Sequence, residues 1–157
     1  MRRYPLPMAT MLSVALAVAG ALGPPAVVQA APTADARIVV EATNGQLKAL
    51  KGKVFDKACN ESVDYDATVI DLNGDGQPEV FTNLYGTCVG GMAGVFMQLY
   101  IKDANGQWKP QFGFPGQPEA LKSKNLGFPD IAVGGPGTCF PVWRWNGKEY
   151  APYKKCR

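Results

Sequence analysis

Histidine is absent from this sequence of 157 residues. Its absence excludes the serine–histidine and cysteine–histidine pairs that activate many catalytic nucleophiles, and it removes the commonest protein ligand of catalytic zinc. Charged residues are also few, at 18% of the chain, and the formal net charge is only +3. A balance this close to neutral gives no electrostatic reason to expect nucleic acid or anionic lipid as a partner.

Long apolar runs are lacking apart from one near the beginning of the chain. A basic start precedes an apolar run over residues 8–22, and Val28-Gln29-Ala30 carries the small residues that signal peptidases accept. The alternative, a retained membrane anchor, is disfavoured because the run is shorter than the ~20 residues that a spanning helix needs. We therefore expect a signal peptide over residues 1–30, cleaved after Ala30, and a periplasmic or secreted mature chain without a transmembrane segment.

Residues 31–157 have the length of a single domain. Its first residues, 31–36, are small and polar, and we expect a mobile start there. The next segment fits two structures, because Asn44-Gly45 suits a tight hairpin turn, whereas Asn44 can also cap a helix over residues 45–54. We expect the helix. Its apolar face would comprise Leu47, Leu50 and Val54.

Cysteine is scarce, with four residues at positions 59, 88, 139 and 156. In an exported chain, an even number of cysteines most simply predicts disulfides, because the compartment is oxidising. A zinc site is the weaker alternative, since no two cysteines form a C-x-x-C pair and no histidine completes a ligand set. Three connectivities are open. We predict Cys59–Cys88 and Cys139–Cys156, because the second pair would flank one hairpin.

From Ser62 onward the sequence predicts β-structure. Apolar and polar residues alternate from Val63 to Ile70, which is typical of a strand with one buried face. Two further segments, 79–85 and 95–102, are rich in aromatic and β-branched residues and are predicted to be strands.

Two Asn-Gly pairs are the strongest hairpin signals in the chain. Asn105-Gly106 would turn the chain into a strand over residues 107–112, and Asn146-Gly147 would join residues 140–145 to 148–153. Between these hairpins, residues 113–137 are dense in glycine and proline, so we expect turns there and no helix. The predicted fold is mainly β, a single compact antiparallel domain with a short N-terminal helix.

The stretch DLNGDGQPE places oxygen-bearing side chains at alternate positions between two predicted strands. Hard cations such as Ca²⁺ take six to eight oxygens, which a flexible loop supplies from alternate residues and a main-chain carbonyl. Glycine stands at the sixth position, where the chain must turn, but the twelfth position lacks the glutamate of an EF-hand. A solvent-exposed turn without an ion is the alternative. The candidate ligands are Asp71, Asn73, Asp75, the carbonyl of Gln77, and Glu79.

The longer stretch VIDLNGDGQPEVF, residues 69–81, is similar to the strand-loop-strand calcium motif of FG-GAP and VCBS-type repeats, which occur in integrin-like β-propellers and exported bacterial proteins. The resemblance implies a blade-like motif with Ca²⁺ held structurally by the five residues just named. The repeats usually carry aspartate at the ninth position, so Glu79 ligates either directly or through a water. At ~45 residues per blade, the chain is too short for a complete propeller. Extracellular modules of this type bind calcium weakly.

Two other groups of side chains offer chemistry. Asp64 and Asp66 share one strand face and could form the carboxylate pair of a glycan hydrolase, although solvated acids are the more ordinary interpretation. Trp143, Trp145 and Tyr150 could form an aromatic binding platform, although such side chains more often fill the core of a small β domain.

These observations predict an exported, disulfide-stapled, calcium-loop-containing binding or interaction module of the cell envelope. A finer hypothesis is an inhibitor or immunity protein, which rests on analogy. Its partner would be an unidentified protein or envelope component. The alternatives are a small carboxylate-dependent glycan hydrolase and a purely structural envelope protein. We expect no enzymatic activity, because the sequence carries no catalytic constellation that we can recognise.

Overall fold

The computed structural model describes residues 33–135, 137 and 140–155, which form two antiparallel sheets and a short helical layer. The predicted signal peptide and the predicted Cys139–Cys156 disulfide lie outside these residues. Among the described residues, no helix has the length and apolar character needed to cross a membrane. The mainly β fold class expected from the sequence is confirmed.

The first sheet has five antiparallel strands in sequence order. The strands at 79–85 and 95–102 were predicted with the bounds that the structure has, because their aromatic and β-branched residues suit a pleated surface. The Asn105-Gly106 turn joins the last two strands, as predicted. The five strands are β1 (Lys51–Asp56), β2 (Glu61–Ile70), β3 (Glu79–Tyr85), β4 (Val95–Lys102) and β5 (Trp108–Pro115).

The second sheet has four antiparallel strands, also in sequence order. The expectation of turns throughout 113–137 is wrong, because two of these strands occupy most of that segment. Its glycines and prolines mark strand boundaries and edges. Gly116 lies at the corner between the sheets, Gly127 in a hairpin turn, and Pro118 on an edge strand, where a missing N–H does no harm. The strands are β6 (Gln117–Asn125), β7 (Phe128–Gly134), β8 (Val142–Trp145) and β9 (Tyr150–Lys154).

The helix α1 (Ala34–Ala42) packs on the outer face of the first sheet. The side chain of Thr33 caps its first turn by accepting a hydrogen bond from the N–H of Ala36 at 3.2 Å. Its buried residues are Ala36, Val39 and Ala42, which follow helical spacing. The helix therefore begins inside the segment 31–36, where the composition predicts a mobile start.

The helix ends at the Asn44-Gly45 pair. The Asn44 N–H donates to the carbonyl of Glu41 at 3.1 Å, and the Gly45 N–H donates to that of Val40 at 2.7 Å. This is a Schellman motif, and it requires the positive φ of 49° at Asn44. The predicted helix over 45–54 is therefore wrong, as is the hairpin alternative, because Asn44 terminates a helix that precedes it.

Both faces of the five-stranded sheet are buried. On one face, Met97, Leu99 and Phe112 pack against Ile131 and Val133 of the second sheet. On the other face, a second apolar cluster lies beneath α1 and the segment after it, and its largest members are Val39, Leu47, Tyr65 and Val80. The result is three layers, a helix and two sheets, with both clusters sharing β3 and β4.

A second short helix, α2 (Thr87–Gly90), and a 3₁₀ turn (Gly91–Ala93) connect β3 to β4. The Cys59–Cys88 disulfide joins this connection to the turn between β1 and β2, which confirms that predicted pairing.

Four hairpin turns gather at one end of the two sheets, which we call the loop end. In an up-and-down antiparallel sheet, alternate turns lie at the same end, which places the β2–β3 and β4–β5 turns together. The turns of the second sheet adjoin them, since a Cβ on Gly127 would lie 3.9 Å from the Cβ of Asn73. The loop end comprises residues 71–78, 103–107, 126–127 and 146–149.

Candidate metal centre at the loop end

The β2–β3 turn is organised around the carboxylate of Asp71. One of its oxygens accepts from the N–H of Gly74 at 2.7 Å and of Asp75 at 3.2 Å, and the other accepts from the N–H of Gly76 at 2.9 Å. Gly74 and Gly76 have φ of 81° and 84°, which favours glycine. These amide donors, that of Gly76 first, hold the pKa of Asp71 below its usual range.

Asn73 and Asp75 bind each other across the turn. The Asn73 amide donates to the Asp75 carboxylate at 2.8 Å, and the Asp75 N–H donates to Asn73 Oδ1 at 3.0 Å. The second Asp75 oxygen accepts from the N–H of Gln77 at 2.7 Å. The side chains of Asp71, Asn73 and Asp75, which are predicted ligands, therefore form hydrogen bonds within the loop that stabilise its conformation.

Glu79 differs from the other acids of the loop because it is only 2% exposed. Its Oε2 accepts a hydrogen bond from the N–H of Leu72 at 2.7 Å. Burial raises the pKa of Glu79 to about 7; the Leu72 N–H opposes this rise, and the negative charges of Asp75 and Asp71 add to it. The base of the loop therefore holds a carboxyl group whose ionisation is costly.

A cavity of about 210 Å³ opens beside Glu79. Its wall includes the residues Asp75, Gln77 and Glu79, and also Asp103 from the β4–β5 turn. The acidic and amide residues of this wall offer oxygen ligands, which suit a hard cation such as Ca²⁺, and Lys102 and Trp145 also line the cavity. In the described part of the chain, the carboxylate oxygens of Asp71, Asp75 and Glu79 do not gather within 4.8 Å of one another.

Asp103 was not singled out from the sequence. It lies just after β4, in a turn whose only strong signal was the Asn-Gly pair, and its Oδ1 accepts from the N–H groups of Asn105 and Gln107 at 2.9 and 3.0 Å. The alternation of turns in an antiparallel sheet places it beside the acidic loop, so a correct strand order would have revealed it.

A second cavity of about 550 Å³ adjoins the first and shares Lys102, Asp103 and Trp145 with it. Lys109 and Lys148 contribute to its wall. The larger cavity therefore mixes charges, because Asp103 and Glu149 also line it and Lys109 lies 3.8 Å from the carboxylate of Asp103.

The predicted aromatic platform is divided between the core and this surface. Trp143 stacks on Phe112 with ring centroids 4.5 Å apart, and Tyr150 is buried and donates its hydroxyl to the carbonyl of Pro129 at 2.7 Å. Burial raises the pKa of Tyr150, and the charge of Glu79 adds to the effect. Trp145 is half-buried, and it alone of the three lines both loop-end cavities.

Asp64 and Asp66 lie on β2, away from the loop end. Asp64 is paired with Lys53 at 2.8 Å. Asp66 accepts from the hydroxyl of Tyr85 at 2.6 Å and from the amide of Asn83 at 2.9 Å. Asp64 thus forms an ion pair and Asp66 forms two hydrogen bonds with side chains of neighbouring strands.

No protein-family model, curated protein or solved structure matches this chain. The structure alone therefore defines the class of protein. It is a β protein with two antiparallel sheets, a helix packed on one of them, a disulfide within the described residues and an acidic hairpin loop.

Proposed function

We propose that this chain is an exported, non-enzymatic binding module of the cell envelope, in which the β2–β3 turn holds Ca²⁺ and thereby orders the loop end for a protein partner. The observation that carries the proposal is the burial of the Glu79 carboxylate behind a turn that already contains two aspartates. The Cys59–Cys88 disulfide supports export, because disulfides persist in oxidising compartments.

Burial and the negative charges of Asp75 and Asp71 oppose the ionisation of Glu79. Three acids lie within nine residues, and the one with least access to water is also the one whose pKa the others raise. A divalent cation removes this repulsion and competes with the proton for the carboxylate oxygens. Calcium would be held by the set predicted from the sequence, Asp71, Asn73, Asp75, Gln77 and Glu79, beside a cavity that also receives Asp103.

The partner surface would be the larger cavity of the loop end. Trp145 offers an amphipathic aromatic wall, and the exposed Lys148 offers a donor for acidic or carbonyl groups of a partner. Lys109 is paired with Asp103, and Lys102 lies over the ring of Trp108. Indole rings are enriched where protein interfaces concentrate their binding energy. An inhibitor or immunity protein against an envelope-directed hydrolase is the finer form of this proposal, and it rests on analogy with other small, rigid, disulfide-stapled proteins.

Calcium binding is tested by calorimetric titration of the mature chain. We expect a Kd of about 10⁻⁴ to 10⁻³ M, as in extracellular modules. Asp75→Asn should weaken binding by at least about tenfold, because it removes a charge from the ligand set. Asp64→Asn makes the same chemical change at an exposed acid outside the loop and should bind as the wild type does. Equal heats for the wild type and Asp75→Asn would refute the calcium site.

The binding module is tested by affinity capture from an envelope extract, with calcium and with a chelator. We expect a protein that is retained only with calcium and is lost with Lys148→Glu, which reverses a charge at the loop end. Lys57→Glu is the matched control, because this exposed lysine lies in the β1–β2 turn, at the other end of the sheets. A partner captured equally by both variants, or no calcium-dependent partner at all, contradicts the proposal.

A further inference from the structure

The end of the sheets opposite the loop end carries a second cluster of potential metal ligands. The sulfurs of Cys59 and Cys88 and a carboxylate oxygen of Glu61 all lie within 4.8 Å of one another. Glu61 takes part in none of the ion pairs found in the part of the chain that the structure describes. Among the described residues, a carboxylate thus lies close to a disulfide and forms no ion pair.

The three residues are held in place by contacts other than the sulfur–sulfur bond. The Cys59 N–H donates to Asp56 Oδ1 at 2.8 Å, and Asp56 pairs with Glu61 across the β1–β2 ladder. Around Cys88, the Gly86 N–H donates to the carbonyl of Gly94 at 2.9 Å, and the Gly90 N–H donates to that of Gly86 at 2.9 Å. The turns that carry the two cysteines thus have hydrogen bonds that do not involve the disulfide.

The cluster is also accessible. Cys88 and Glu61 are exposed, and Cys59 is half-buried. Exposed disulfides are the labile ones, because an attacking thiolate can reach a sulfur atom. A reductant and a metal ion can approach this end of the molecule from solvent.

We propose that Cys59, Cys88 and Glu61 form a zinc site that the disulfide keeps closed and that reduction opens. A dithiol transfers two electrons and two protons to the disulfide and becomes a disulfide itself, which leaves two cysteine thiols. Binding of Zn²⁺ then forms two Zn–S bonds and releases the two thiol protons to solvent. Glu61 supplies the third ligand, and a water molecule completes the tetrahedral arrangement that zinc prefers.

The ligand chemistry separates this site from the acidic loop. Thiolates select soft or borderline ions such as Zn²⁺, whereas the all-oxygen loop suits hard ions such as Ca²⁺. The two proposals concern opposite ends of β2, from Glu61 to Ile70, and neither depends on the other.

The test is titration of the phosphine-reduced chain with Zn²⁺, together with Co²⁺ as a spectroscopic probe of thiolate ligation. We expect the reduced wild type to bind one more equivalent of zinc than a Cys59→Ser/Cys88→Ser variant. The reduced wild type should also show more thiolate-to-cobalt absorption than the reduced variant, and the oxidised chain should show none. Because both chains retain Cys139 and Cys156, the difference reports on this pair alone.

The role of Glu61 is tested by Glu61→Gln, which should weaken zinc binding by about tenfold or more. Glu119→Gln is the matched control on β6 and should leave zinc binding unchanged. Circular dichroism of the reduced chain establishes whether the sheets persist. Equal zinc stoichiometry in the wild type and the serine variant overturns the site, as does unchanged affinity in Glu61→Gln. A reduced chain that unfolds and is not restored by zinc also overturns it.

Discussion

Replacing Arg144 by methionine is expected to lower the midpoint of urea denaturation clearly, because it leaves the carboxylate of Asp130 without its cation. Arg144 binds both oxygens of Asp130, through Nε at 2.8 Å and Nη2 at 2.7 Å, and Asp130 is only 1% exposed. The hydroxyl of Ser123 supplies one further bond at 2.6 Å. Methionine leaves a buried carboxylate without its cation, and it also removes the guanidinium group that lies 3.5 Å from the centre of the Tyr153 ring. The expected loss therefore combines an unpaired charge with a lost cation–π contact.

Urea denaturation measures this loss of stability. Two further variants test whether the unpaired charge of Asp130 causes it. Adding Asp130→Asn to Arg144→Met should recover much of the loss, because the unpaired charge is removed. Arg37→Met removes an exposed arginine of α1 and should change stability by no more than about 0.5 kcal/mol. A loss in Arg144→Met no larger than that in Arg37→Met would show that the pair contributes as little as a surface salt bridge.

The strands that the sequence predicts correctly are those with alternating apolar residues, with many aromatic and β-branched residues, or with an adjacent Asn-Gly turn. Val63, Tyr65 and Ala67 are all buried on one face of β2, as their alternation with polar residues predicts. The turns at Asn105-Gly106 and Asn146-Gly147 are likewise specified within a few residues, so no knowledge of the rest of the fold was needed.

The elements that were missed depend on distant contacts. β7 is buried along nearly its whole length, so it lacks alternation, and Pro129 within it suggests a break. That proline lies beyond the residues with which β8 pairs, so its missing N–H disrupts no bond with β8. The helix was placed too late because Asn44 suits both ends of a helix, and only the Schellman hydrogen bonds distinguish them.

The candidate metal site likewise combines features that the local sequence specifies with features that depend on distant contacts. The spacing of Asp71, Asn73 and Asp75 is local, so the sequence alone could predict a tight polar turn between two strands. The burial of Glu79 and the approach of Asp103 arise from the packing of the two sheets, and no periodicity in the sequence reports them. The least predictable features of the site are therefore those that determine its electrostatics.

Calcium-free protein is expected to become less stable as the pH rises, by about 3 kcal/mol from Glu79 alone. The pKa of this carboxyl group is raised from 4.5 to about 7 in the fold. The folded state therefore binds more protons than the unfolded state between these values, and stability falls as pH rises through that window. Asp71 and Asp130 have lowered pKa values, so their stabilising contributions are lost only in more acidic solution.

Urea denaturation in chelator at about pH 5 and about pH 8 measures the difference, since Glu79 changes charge between these values. Glu79→Gln cannot ionise and should flatten the pH dependence, whereas Glu149→Gln, an exposed acid of the same loop end, should leave it unchanged. Calcium should restore stability at the higher pH and have little effect at the lower one, because the proton then occupies the carboxylate. If the wild type and Glu79→Gln lose stability equally across this range, the buried carboxyl group is not the acid that a cation would neutralise.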